Sequence, residues 1–124
     1  MKKLLIIPML FMYSMVIGQS KKIIGNPIKI ENLEVAQHDF PNRMTGDDAK
    51  AACAKLGEGW RLPTKDELAV MYRYKDKIGG FANVYYWRST EASNNGTWMQ
   101  DFDNGLQKRA GRISIANVRA VRAF

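Results

Sequence analysis

Gly57-Glu58-Gly59-Trp60-Arg61-Leu62-Pro63-Thr64-Lys65-Asp66-Glu67-Leu68 closes one helix and opens another within a single short corner. Gly57 suits the left-handed residue that follows a helix, because it has no Cβ to clash. Thr64 and Glu67 have the spacing of a capping box, in which each side chain satisfies a backbone donor at the start of the next helix. Between these signals Trp60 and Leu62 bring apolar bulk into the corner, and Pro63 fixes the approach to the second helix.

Upstream, Thr45 reads as the cap of the first helix, with Asp47 and Asp48 in its first turn and Lys55 in its last, where the helix dipole favours those charges. Ala49, Ala52, Cys53 and Leu56 form its inner stripe, so the lone cysteine reads as a core thiol. Downstream, the second helix is expected from Lys65 to about Lys77, with Leu68, Met71 and Tyr72 inward and Gly79-Gly80 as its stop. Strands are expected over residues 28–36, with a register shift near Asn32, and over 84–89, 97–102 and 117–124, the last one central because both its faces are apolar. Residues 90–96 read as a polar loop. Asp103-Asn104-Gly105 marks a hairpin. If Asn104-Gly105 are its two turn residues, Asp101 faces Lys108 and Trp98 faces Gly111.

Residues 1–18 have the form of a secretory signal peptide: Lys2 and Lys3, an apolar run over residues 4–17, and small residues up to Gly18. Export to the periplasm, cell surface or medium follows, after cleavage near Gly18. Residues 19–27 read as a linker around Gly25-Asn26-Pro27, and residues 28–124 as one domain. No later run is long enough to span a membrane. The net charge of +7 falls to +5 without Lys2 and Lys3. Its excess gathers at the end, where residues 107–124 hold Lys108, Arg109, Arg112, Arg119 and Arg122 and no acid. One cysteine excludes an intramolecular disulfide, so packing alone carries stability.

Several segments together resemble the Lcl C-terminal domain family, named after the C-terminal domain of a bacterial collagen-like adhesin. They are Asn32-Leu33-Glu34-Val35-Ala36, Asp48-Ala49-Lys50 leading to Cys53, Gly59-Trp60-Arg61-Leu62-Pro63-Thr64, Tyr85-Tyr86-Trp87, Ser89-Thr90-Glu91 and Val118-Arg119-Ala120-Val121-Arg122. The resemblance implies an α+β, C-type-lectin-like fold with two helices packed on a twisted, mostly antiparallel sheet. In the founding adhesin the domain looks like a trimeric binder of sulfated glycosaminoglycans. This chain departs from the family pattern at Arg88, where Trp-Ser-Ser is usual, and at Gly46, where a bulky residue is common. It has no collagen-like repeat, so the trimer has no support in the sequence.

The chemistry expected from these residues is binding. No nucleophile elbow, histidine-rich metal spacing or phosphate-cradling glycine loop is present, so no catalytic residue, metal or cofactor is assigned. Glu91, Asn94, Asn95, Asp101 and Asp103 could offer oxygens to calcium, yet polar turn residues need no metal to explain them. The candidate ligand-binding residues are Arg88, Asn94, Asn95, Trp98, Lys108, Arg109 and Arg112: an indole to stack on a sugar face and cations to meet sulfate or carboxylate. Lys108, Arg109 and Arg112 equally fit a solvated edge. Trp60, Arg61, Leu62, Pro63, Thr64, Trp87, Arg119 and Arg122 read as scaffold, with the arginines paired to acids. The expected role is an exported, non-catalytic binding module, of an adhesion type, for a sulfated or acidic glycan or another anionic surface ligand. The alternative is a structural envelope domain with a protein partner. Nucleic acid is not an expected partner.

Overall fold

The computed structural model describes residues 18, 20–89 and 97–124. The chain is mixed α+β. In order, it forms β1 (Ile28–Ile30), β2 (Leu33–Val35), α1 (Gly46–Lys55), α2 (Lys65–Arg73), α3 (Lys75–Ile78), β3 (Tyr85–Arg88), β4 (Thr97–Asp101), β5 (Gln107–Ala110) and β6 (Val121–Ala123). The strands make two three-stranded antiparallel sheets, β1-β2-β6 and β3-β4-β5, instead of the single sheet expected. The segment before β6 ties them together. Asn117 N donates to Tyr85 O (2.9 Å) and Trp87 N donates to Asn117 O (3.1 Å); Val121, the first residue of β6, also exchanges two 2.9 Å bonds with Arg61 of the corner.

The helix ends follow the local signals. Thr45 Oγ1 accepts from Asp48 N at 3.3 Å. Thr64 Oγ1 accepts from Glu67 N at 3.2 Å while Glu67 Oε1 accepts from Thr64 N at 2.9 Å, which completes the capping box. Gly57 adopts φ 82°, the left-handed conformation a helix terminus needs.

Elsewhere the structure corrects the expected elements. The opening strand is a hairpin: β1 and β2 pair Ile30 with Leu33, and the chain turns through Glu31 at φ 54°. The second helix breaks at Tyr74 (φ −103°, ψ 21°), so α2 and α3 are separate. Residues 20–24, expected as linker, are helical, and Ile23 is buried. The last strand shortens to three residues at the edge of its sheet, although Val118, Ala120 and Val121 are fully buried.

The β4–β5 register also differs. Met99 faces Lys108 and Trp98 faces Arg109. Asp101 N bonds Leu106 O (2.8 Å), leaving a four-residue loop from Phe102 to Gly105. Phe102 causes the shift. It is fully buried and its N–H pairs with Val84 O (2.9 Å), so it belongs to the core side of the sheet and cannot extend the β5 ladder. Asp101 Oδ1 accepts from Asp103 N, Asn104 Oδ1 accepts from Leu106 N, and Gly105 takes φ 81°. A Cβ on Gly105 would lie 2.8 Å from Tyr72 Cε2, so glycine is required there by contact as well as by φ.

Two apolar clusters fill the interior. Ala49 and Cys53 of α1 pack with Trp60, Leu62, Trp87, Met99, Val118 and Ala120. Leu68 and Met71 of α2 pack with Val35, Tyr86, Phe102 and Val121. β3 serves both, because strand alternation sends Tyr86 and Trp87 to opposite faces.

Between these clusters lies a charged pair. Arg119, whose side chain is wholly buried, donates from Nε to Asp39 Oδ1 at 2.6 Å and from Nη1 to Ala36 O and Gly79 O, each at 3.2 Å. The Tyr86 hydroxyl donates to Asp39 Oδ2 and accepts from Ala82 N. Burial, reinforced by the negative charge of Asp39, holds that hydroxyl above its ordinary pKa. The Arg119 guanidinium lies 4.1 Å from the centre of the Phe81 ring. Removing the charge of Asp39 leaves a buried cation uncompensated, which costs about 3–5 kcal/mol. Chemical denaturation of Asp39→Asn should show a loss of that order, and a loss below about 1 kcal/mol would contradict the assignment.

Candidate functional site

The β3-β4-β5 sheet carries a ladder of Arg88, Trp98 and Arg109. Register places Arg88 opposite Trp98 on one side and Arg109 opposite Trp98 on the other. The guanidinium carbons of Arg88 and Arg109 lie 5.0 and 5.5 Å from the Trp98 ring centre, within cation–π range. Trp98 is half-buried, and its Nε1 is a buried donor with no hydrogen-bond partner among the described residues. Trp87 differs: it is 1% exposed and its Nε1 donates to Met44 O at 2.6 Å, which fixes it as core.

Alternation along β5 separates the expected basic cluster. Arg109 shares the face of Trp98, whereas Lys108 lies on the other face, its Nζ 4.9 Å from the Tyr85 ring centre. Arg112 is exposed in the turn after β5. Asn94 and Asn95 lie outside the described residues, as do Glu91 and the expected signal peptide apart from Gly18. Among the described residues no three potential metal ligands converge, and no helix is long and apolar enough to cross a membrane.

The other arginines are held in ion pairs. Arg122 donates from Nε to Glu34 (2.7 Å) and from Nη1 to Glu58 (3.3 Å), with its guanidinium 4.7 Å from the Trp60 ring centre. Arg61 meets Glu67 through two bonds, of 2.6 and 2.9 Å. Together with Arg119–Asp39, these pairs take up three of the basic residues that the bare charge count would have offered to a ligand.

Beside the ladder is a pocket of about 390 Å³. Gly46, Asp47 and Lys50 line it from the first turns of α1, Arg61, Leu62 and Thr64 from the corner, and Trp87, Arg88 and Ser89 from the end of β3. A backbone bond from Ser89 N to Pro63 O (2.8 Å) holds the β3 end against the corner. Arg88 therefore belongs to both pocket and ladder, and it is only 7% exposed. Gly46 and Arg88, where the sequence departs from the Lcl pattern that its motifs resemble, both line this pocket. The sequence reading missed Lys50 and treated the corner as scaffold only. Gly46, Asp47 and Lys50 recur at helical spacing, a signal that they share one face, but nothing local shows what that face meets.

Two expectations follow for these side chains. Cys53 is fully buried and desolvation pushes its thiol up to about 12, so the folded protein should resist thiol reagents at pH 8 and react only after denaturation. Rapid labelling of the native state would contradict this. For Glu67, burial pushes the carboxyl up, but hydrogen bonds from Arg61 and Thr64 outweigh it and leave the pKa below the ordinary 4.5. The pairing therefore contributes fully above that value and is lost as pH falls through the lower folded-state pKa. Stability measured from pH 7 down to about 2 should fall less steeply in Glu67→Gln than in the parent below about pH 4.5. Identical acid limbs would exclude the pair as a source of acid lability.

Solved structures provide the comparison. Botrocetin, a snake C-type-lectin-like protein, superposes with a TM-score of 0.61 at 12% identity, over 80% of this chain and 96% of its own. That likeness is one of fold, and it gives this chain a C-type-lectin-like fold. No protein-family model and no curated protein matches the sequence, so the Lcl resemblance stands on its motifs alone.

Proposed function

We propose that the mature chain is an exported, non-catalytic binding module whose Arg88–Trp98–Arg109 ladder holds a sulfated or uronate-bearing glycan. The observation that carries the reading is that ladder: a half-buried indole flanked by two guanidinium groups, with Arg112 exposed in the turn after β5 and no carboxylate paired to Arg109 or Arg112 among the described residues. A pyranose presents an apolar C–H face that stacks on an indole, and its sulfate or carboxylate substituents accept charge-assisted hydrogen bonds from guanidinium. The fold supports the reading only as a scaffold able to carry such a surface.

A structural envelope domain with a protein partner is the rival. Leu106, Ile113 and Phe124 are exposed apolar residues that a partner could cover. Isolated exposed apolar side chains are ordinary on soluble domains, so they favour that reading less than the ladder favours a glycan.

Binding of a heparin oligosaccharide should weaken as ionic strength rises from about 0.05 to about 0.5 M, because exposed charges are screened over shorter distances. Trp98→Ala and Arg109→Ala should each weaken it roughly tenfold, which corresponds to about 1.4 kcal/mol. Lys108→Ala, altered on the opposite face, should change it by less than about twofold. No binding at low salt, or loss on Lys108→Ala alone, would refute the assignment.

A further inference from the structure

The β3-β4-β5 sheet carries a second pocket, of about 240 Å³, on its other side. It opens where Tyr85 pairs with Asp101, the end of the β3–β4 ladder away from Arg88 and Trp98. Strand alternation turns Tyr85 and Asp101 to the face opposite Trp98, so this pocket is separate from the candidate glycan surface. Backbone bonds hold its walls. Met44 and Ala116 exchange two 3.1 Å bonds, which brings the segments of Arg43 and Ile115 together. Asn117 N donates to Tyr85 O and Phe102 N to Val84 O, each at 2.9 Å, and these bonds tie the walls to β3 and β4.

The lining sets opposite charges around an apolar floor. Arg43 and Asp101 both line the pocket, yet they form no ion pair with each other or with any other described residue. Asp101 Oδ1 accepts from Asp103 N at 2.8 Å, which leaves Oδ2 for another donor. Arg43 is exposed, and its guanidinium can meet a carboxylate through two parallel bonds. Asn83 adds a carboxamide, which both donates and accepts. Between the charges lie Tyr85 and two aliphatic side chains that solvent reaches, Val84 at 39% and Ile115 at 49% exposure. The volume falls below the roughly 300–1,000 Å³ of drug-sized sites, so it suits a ligand of one residue's size.

A cation and an anion that share a pocket without neutralising each other are complementary to a small molecule bearing both charges. Going beyond the glycan reading, we infer that this pocket binds a free α-amino acid with an apolar side chain. Its carboxylate meets Arg43, its ammonium meets Asp101 Oδ2, and its side chain covers Val84, Tyr85 and Ile115.

The test is a backbone-amide NMR titration of the full mature chain with L-leucine, N-acetyl-L-leucine and L-leucinamide, each up to about 20 mM. L-leucine should give saturable shifts at the amides of Val84, Asp101 and Ile115. N-acetyl-L-leucine lacks the ammonium and L-leucinamide the carboxylate, so each should bind about tenfold more weakly. Arg43→Gln and Asp101→Asn should each weaken L-leucine about tenfold, and Asp101→Asn keeps an oxygen to accept from Asp103 N, so the loop is retained. Trp98→Ala, on the opposite face, should change L-leucine binding by less than about twofold. No shift with L-leucine, equal binding of either blocked compound, or an unchanged response in Arg43→Gln overturns the inference. Loss in Trp98→Ala with Arg43→Gln unaffected would put the ligand on the ladder and overturn it equally.

Discussion

Arg119 and Asp39 are separated by most of the domain in sequence yet lie within a single hydrogen bond of each other, at 2.6 Å in the interior. A buried cation without a partner is strongly disfavoured, so the segment after β2 and the segment before β6 must meet for the fold to form. Around that pair, Tyr86 brings β3, and the carbonyls of Ala36 and Gly79 bring the ends of β2 and α3. Neither sheet exceeds three strands, and it is this network, with the backbone bonds of Asn117, that makes two small sheets into one interior. A chain with no disulfide has to obtain its long-range order from such contacts.

The same constraint sorts the positive charge. Arg61, Arg119 and Arg122 are each bound to acids and fix the corner, the core and the β2–β6 edge. Arg109 and Arg112 carry no such pair among the described residues, and Arg88 stands against an aromatic face. The net basic balance therefore overstates what is offered to a ligand, and strand register sets Arg88 and Arg109 on either side of Trp98. A surface of that kind favours a flat, apolar-faced and anionic partner.

What could be read from the sequence was local. Thr45, Thr64, Glu67 and Gly57 act within one helical turn, so their caps were legible from spacing alone. Glu31 turns the first hairpin with positive φ but carries none of the usual glycine or asparagine signature at that residue, so the hairpin read as a strand with a shifted register. The β4–β5 register depended on where Phe102 is buried, a tertiary fact that outweighed the Asn104-Gly105 turn signal. Lys108 and Arg109 looked like one cluster because they are adjacent, and pairing into a strand divides them. The pocket was illegible because three distant segments build it. The corner that marked the fold turns out to be one of its walls, so the scaffold motif and the candidate site share residues.

The central claim is that Trp98, and not the core indoles, meets the ligand. Its Nε1–H has no partner among the described residues, whereas that of Trp87 is bound to Met44 O. The most direct measurement is the set of indole Nε1–H resonances during addition of a heparin oligosaccharide at low salt. The account predicts that the Trp98 resonance moves in a saturable, salt-sensitive manner while the Trp87 resonance stays in place. A stationary Trp98 resonance in a sample that binds the oligosaccharide would contradict it.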